Sequence, residues 1–211
     1  MKVIFKRRLY VFMAICLLNS GCNNDSIPSN DPIIDTTSHK PDPSALVVSN
    51  PNFVIAPAEY STLNEKALLH LAKFEFDAWG EMLSDNVIYA FPDGDVDTRT
   101  SLKGKDAVLA WWKQWKQKSG IESMAMTEFN HTPINVISPI KGGATMGIYD
   151  IAYFSNKMVF KGKTAALRMN FVAHFNADKK IDRYNTYYDR SVIIKASGKN
   201  ILEELTSRNK N

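Results

Sequence analysis

What most limits the fold of this chain is a change of periodicity near residue 124. From there the sequence runs in four long stretches, residues 124–137, 144–154, 157–175 and 181–188, rich in Val, Ile, Phe, Tyr and Thr. Gly142-Gly143, Ser155-Asn156 and Asn176-Ala177-Asp178-Lys179 lie between them and have turn composition, so successive antiparallel strands are expected. Before residue 124 the pattern is helical. Ser61 is placed to cap a helix, with Glu65 near the capping-box position, and Leu63, Ala67, Leu68, Leu71, Phe74 and Ala78 recur at helical spacing. The helical pattern continues over residues 76–84, with Trp79, Met82 and Leu83 turned inward. Residues 86–91 form a β-prone run that ends at Pro92-Asp93-Gly94, and residues 104–118 carry Ala107, Val108, Trp111, Trp112 and Trp115 at helical spacings. Helices followed by a meander predict an α+β fold in which the helices cover one face of a curved sheet.

The first 57 residues read differently. Lys2, Lys6, Arg7 and Arg8 precede an apolar run of ten, residues 9–18. That is the length of a signal-peptide core and about half of the ~20 residues a membrane span needs. Leu18-Asn19-Ser20-Gly21-Cys22 follows. It resembles the lipobox of bacterial lipoproteins, which implies lipidation of Cys22 and an exported, membrane-anchored protein of a bacterial cell envelope. Asn19 departs from the usual aliphatic residue, Leu18 can serve instead, and ordinary secretion with a different cut is the alternative. Six of the nine prolines fall within residues 23–57, among Asn, Asp, Ser and Thr. Such a stretch buries too little to order itself. The expected organisation is a signal peptide over residues 1–21, a flexible tether over 22–57 and one domain over 58–211, with Phe53-Val54-Ile55 apolar enough to lie along the domain surface.

Charge and cysteine count then exclude several functions. Without the four basic residues of the first 21, Lys and Arg match Asp and Glu at 22 each, so the basic excess belongs to the leader and gives no support to nucleic-acid binding. Cys16 and Cys22 are the only cysteines. The domain therefore has no internal disulfide, thiol chemistry or cysteine metal site. His39, His70 and His131 lack metal-ligand spacing, and neither a metal nor a cofactor is expected. No phosphate-cradling glycine loop or Gly-x-Ser-x-Gly elbow occurs.

The ordered set of motifs resembles one superfamily. Two helices, Asp85-Asn86-Val87-Ile88-Tyr89-Ala90-Phe91-Pro92, then Leu102-Lys103-Gly104-Lys105-Asp106-Ala107-Val108 opening a helix, then long strands closing on Tyr187-Tyr188-Asp189, are similar to the NTF2-like superfamily and within it to the SnoaL-like branch. The most specific piece is residues 171–181 leading to Tyr187-Tyr188-Asp189, and the likeness spans residues 61–197. It implies a cone, with a curved sheet wrapped around helices and an apolar pocket that in some members houses isomerases, dehydratases, cyclases or epoxide hydrolases. Family members often pair through the outer face of the sheet, so a homodimer is expected.

Fold does not settle chemistry. The resemblance to ketosteroid isomerases would put a general base just before the proline ending the first strand, where this chain has Phe91. Two carboxylates remain as acid/base candidates. Asp93 stands in the turn after Phe91, where a solvated turn former is the plainer reading. Asp189 ends the last strand and can equally cap a helix. In residues 167–175 alternation puts Leu167, Met169, Phe171, Ala173 and Phe175 on the core face, which turns His174 outward. Trp79, Tyr89, Phe91, Trp111, Trp115, Tyr149 and Tyr187 are the candidate ligand-binding aromatics, suited to a flat, mostly apolar small molecule with a few oxygens. Two functions follow: a membrane-tethered binding module without catalysis, or a cofactor-free isomerase, dehydratase or cyclase using Asp189 or Asp93.

Overall fold

The structure, a computed structural model, describes residues 52–93, 100–139 and 144–207. Its elements are β1 (Phe53–Ile55), α1 (Glu59–Ala72), α2 (Phe76–Gly80), β2 (Leu83–Ala90), β3 (Ser101–Lys103), α3 (Lys105–Ser119), β4 (Ile121–Val136), β5 (Gly147–Phe160), β6 (Lys163–Phe175), β7 (Ile181–Tyr188), α4 (Arg190–Ser197) and α5 (Ile201–Ser207). The seven strands make one sheet in the order β1-β4-β5-β6-β7-β2-β3. All neighbours are antiparallel except β2 and β7, which run parallel. The meander β4 to β7 was legible as alternation. The parallel join was not, because β2 reaches β7 across the whole intervening chain.

Residue alternation assigns the two faces of the sheet. On β5, Asp150, Ala152, Phe154, Asn156, Met158 and Phe160 are all buried and face the helices. Met169, Phe171, Ala173 and Phe175 of β6 continue that inner face, as do Tyr184 and Thr186 of β7. Long strands must bend to wrap a core, and β4 does so where its register with β5 shifts between Thr127 and Asn130. Glu128 takes a positive φ of 55° at that bulge.

Several boundaries differ from the sequence reading. The helix expected over residues 76–84 stops at Gly80, and β2 begins at Leu83, three residues before the expected strand. Ser61 lies inside α1 and bonds Asp150 rather than capping the helix. The tether expected through Pro57 gives way earlier, since Phe53–Ile55 pairs with β4. Ser155-Asn156 is strand, and the β5–β6 reversal falls at Lys161-Gly162, with φ of 48° and 77°. Two consecutive positive φ angles are those of the type I′ hairpin turn, whose twist matches that of the flanking strands. The turn at residues 176–179 stands as expected: the Asn176 side chain accepts from the Asp178 and Lys180 amides at 3.0 and 2.9 Å. Gly142-Gly143, the lipobox and Cys22 lie outside the described residues. Among the described residues, no helix is long and apolar enough to cross a membrane.

Candidate functional site

The inner face of the sheet, α3 and the C-terminal helices line a cavity of about 40 Å³. The amphipathic spacing of α3 delivers Trp111, Trp112 and Trp115 to one wall. Met124 and Met126 from β4, Met158 from β5 and Met169 from β6 form another. Their clustering follows from register, since Met124 pairs directly with Met158 and Met126 with Asn156. The cavity is covered by α4 and α5, which pack on β5, β6 and α3 and contribute Ile193, Ile194, Ile201 and Leu202. Roughly 10–15 Å³ of such space is needed per water. The cavity as it stands holds a few waters and is closed to anything the size of an aromatic ring.

The expected ligand-binding aromatics divide into three groups. Phe91, Trp111 and Trp115 line the cavity. Trp79 and Tyr89 are fully buried behind that wall, where Trp79 meets Trp112 edge-to-face with centroids 6.1 Å apart and Tyr89 packs on Phe91 at 5.0 Å. They support the wall and are not part of it. Tyr149 and Tyr187 stand on the outer face, because both alternate away from the core residues of their strands. Tyr149 packs against His174 with its hydroxyl on Thr145 at 2.8 Å, and Tyr187 is 49% exposed. These two are corrected as cavity residues.

The carboxylates fare as their local geometry dictates. Asp189 is exposed and caps α4, its side chain accepting from the Ser191 amide at 2.8 Å; hydrogen bonding from the Ser191 side chain, and after it from this amide, holds its carboxyl below the ordinary range. It is absent from the cavity wall, so its expected acid/base role has no geometric footing. Asp93 is ion-paired with Arg190, which in turn bonds Asn200, so these three tie the start of α4 to the approach to α5. The second Asp93 oxygen is buried without a partner among the described residues. His174 faces outward as expected, bound to Asp182 at 2.5 Å.

Sequence reasoning missed a polar network at the other end of the core. Asp150, fully buried, accepts from Ser61 at 2.9 Å and Asn64 at 2.7 Å. His131 meets the same carboxylate through Nδ1 at 2.7 Å and Glu65 through Nε2 at 3.3 Å. Tyr184 donates to Asn64 at 2.9 Å. The Asp150 hydrogen bond, reinforced by the charges of Asp150 and Glu65 against the opposing effect of burial, raises the His131 pKa. Burial pushes the Tyr184 and Tyr188 hydroxyls far above the ordinary range. The missed signal was alternation, which puts Asp150 and Asn156 at polar positions on an otherwise apolar face. Among the described residues, no group of three or more His, Cys, Asp or Glu is arranged to hold a metal.

No protein-family model matches the sequence, and no curated protein matches it. Solved structures do match in three dimensions. A Bacillus subtilis protein provisionally named an isomerase superposes with a TM-score of 0.52 at 18% identity, over 66% of this chain and 92% of the other. A Xanthomonas campestris pv. campestris protein provisionally named a polyketide cyclase gives 0.50 at 14% identity, over 65% and 96%. An NTF2-like protein from Burkholderia xenovorans LB400 gives 0.48 at 11%, over 68% and 99%. Identities this low speak to fold and not to chemistry. The chain carries the α+β NTF2-like fold, a curved, mostly antiparallel sheet wrapped around helices.

Proposed function

We propose that this protein is a membrane-tethered lipoprotein whose NTF2-like domain binds a small, mostly apolar ligand in the cavity beneath α4 and α5, without catalysing its conversion. The observation that carries the reading is the wall itself: three tryptophans and four methionines, with no Asp, Glu or His among the described lining residues. Proton abstraction by a carboxylate or an imidazole needs such a group within about 2.6–3.2 Å of the reacting atom; of the other proton-carrying side chains on the wall, Tyr188 is held protonated by burial and Lys199 is exposed to water. A thioether and indole lining instead offers soft, adaptable contact to apolar molecules. Two solved structures that share the fold are named for isomerase and polyketide cyclase activity, which supports a small-molecule ligand for this domain.

The tether rests on the lipobox-like Leu18-Asn19-Ser20-Gly21-Cys22. A homodimer through the outer face is part of the same proposal, supported by Tyr153 and Tyr187, about half exposed there. The cyclase or isomerase alternative has two footholds: the Asp93 oxygen that has no partner among the described residues, beside the cavity-lining Arg190, and the Tyr188 hydroxyl on the cavity wall.

Binding is tested with the neutral fluorophore N-phenyl-naphthylamine, which accepts energy from excited tryptophan. Saturable one-site binding with energy transfer is expected, and Trp111→Phe, Trp112→Phe and Trp115→Phe, each made singly, should each lower the transfer. No saturable binding to folded protein at high micromolar probe would end the pocket reading.

A further inference from the structure

Within the apolar wall one side chain is out of place. Asn156 is 1% exposed, in the middle of β5, and lines the cavity. Its neighbours are Met126 across one strand pair and Leu167 across the other. The amide nitrogen donates to the Met169 sulfur at 3.4 Å, and the carbonyl oxygen has no hydrogen-bond partner among the described residues. This orientation of the amide is the one its contacts favour, since a carbonyl oxygen against the sulfur would leave the amide donors unused. A buried carbonyl in thioether surroundings is costly and is normally satisfied. Two more orphans line the same cavity, the indole N–H groups of Trp111 and Trp112. One acceptor and two donors are therefore left over on walls that are otherwise apolar.

We infer that the cavity recognises a neutral apolar molecule through a hydroxyl group, which donates to the Asn156 carbonyl and accepts from an indole N–H. The inference rests on the binding reading above and deepens it by naming the recognised group. A hydroxyl is the smallest group that is donor and acceptor at once. A bare hydrocarbon leaves all three orphans unpaired, and an ether leaves the carbonyl unpaired. Of the two cations on the wall, Arg190 is already paired with Asp93 and Lys199 is exposed to water, so a carboxylate would enter thioether and indole surroundings without a buried counter-charge. The methionines fit the same picture, since their flexible chains adapt to the ligand body while the amide fixes its oxygen.

Calorimetric titration of the protein with naphthalene, 1-naphthol, 1-methoxynaphthalene and 1-naphthoate tests this. In the wild type the hydroxyl compound should bind on the order of tenfold more tightly than its methyl ether, the size of one hydrogen bond to a group otherwise left unpaired. In Asn156→Leu the ratio of naphthol to naphthalene affinity should drop by a similar factor, with naphthalene binding retained or improved. Naphthol and its ether binding equally, or a ratio unmoved in Asn156→Leu, would overturn the inference, leaving the orphan atoms to ordered water and the pocket reading intact. Tightest binding by 1-naphthoate would also overturn it, in favour of an anionic ligand. Failure of all four compounds to bind would remove the pocket reading and this inference together. If Asn156→Leu does not fold, the comparison of naphthol with its ether in the wild type still decides.

Discussion

Asp189 and His131 show how differently two polar residues of this chain are employed. Asp189 sits in water and closes the first turn of α4. Asn caps about as well as Asp, whereas Ala leaves the Ser191 amide without its partner. Asp189→Asn should leave the thermal midpoint and probe binding nearly unchanged, and Asp189→Ala should cost about 0.5–2 kcal/mol in denaturant titration. Loss of binding or turnover in Asp189→Asn at unchanged stability would restore the functional role that its position outside the cavity argues against. His131 is held inside a network. Its ring nitrogens both face carboxylate oxygens, so the cationic ring donates at each end and clasps α1 to β4 and β5. Because the folded pKa is raised above 6.5, the native state holds the proton more tightly than the unfolded chain. The stability this supplies is complete below pH 6.5 and is lost as pH climbs through the folded pKa. Unfolding free energy measured upward from pH 6 should therefore fall more steeply in the wild type than in His131→Gln. Parallel curves would mean that the proton does not bind more tightly on folding.

At the scale of elements, the contrast is between a sheet that alternation makes readable and a cover that it does not. Strands β6 and β7 follow from period-two patterning with one face apolar, and β7 was placed at Ile181–Tyr188 to the residue. The β5–β6 turn was misplaced because Ser155-Asn156 has turn composition, while Lys161-Gly162 supplies the two positive φ angles that a two-residue hairpin requires. That error split β5 and hid Asn156, the polar position with most bearing on the cavity. Helix α5 had no strong sequence signal, being seven residues long, and its place depends on α3 and on the Asp93–Arg190–Asn200 link. Short helices held by few contacts open at low free-energy cost. Since the cavity as it stands admits only a few waters, the proposed ligand would enter by displacing α4 and α5, which cover it. Amides of residues 191–204 should exchange with solvent much faster than those of β5 and β6, and bound N-phenyl-naphthylamine should slow them. Equal protection with and without ligand would place entry elsewhere. Arg190→Gln should speed probe association by loosening the link.

For the whole molecule, the sequence gives position more readily than the fold does. About 30 residues separate Cys22 from the first described residue, Asn52, six of the nine prolines of the chain lie between residues 23 and 57, and no cysteine follows Cys22. A proline-rich segment spans about 3.1 Å per residue when extended, so a lipid on Cys22 would let the domain range up to roughly 90 Å from the bilayer. A single acyl chain anchors marginally and several anchor durably, and the thiol of Cys22 is the atom through which this attachment would begin. No cysteine falls among the described residues, and their core is built from residues after position 55. Cys22→Ser should therefore shift the protein from the membrane fraction to the soluble fraction, or leave it with its leader uncleaved, while the thermal midpoint of the domain and its affinity for N-phenyl-naphthylamine stay the same. A processed protein that remains in the membrane fraction after this substitution would show that something other than a lipid on Cys22 holds it there. Accompanying loss of stability would show that the segment before β1 takes part in the fold, contrary to its reading as a tether.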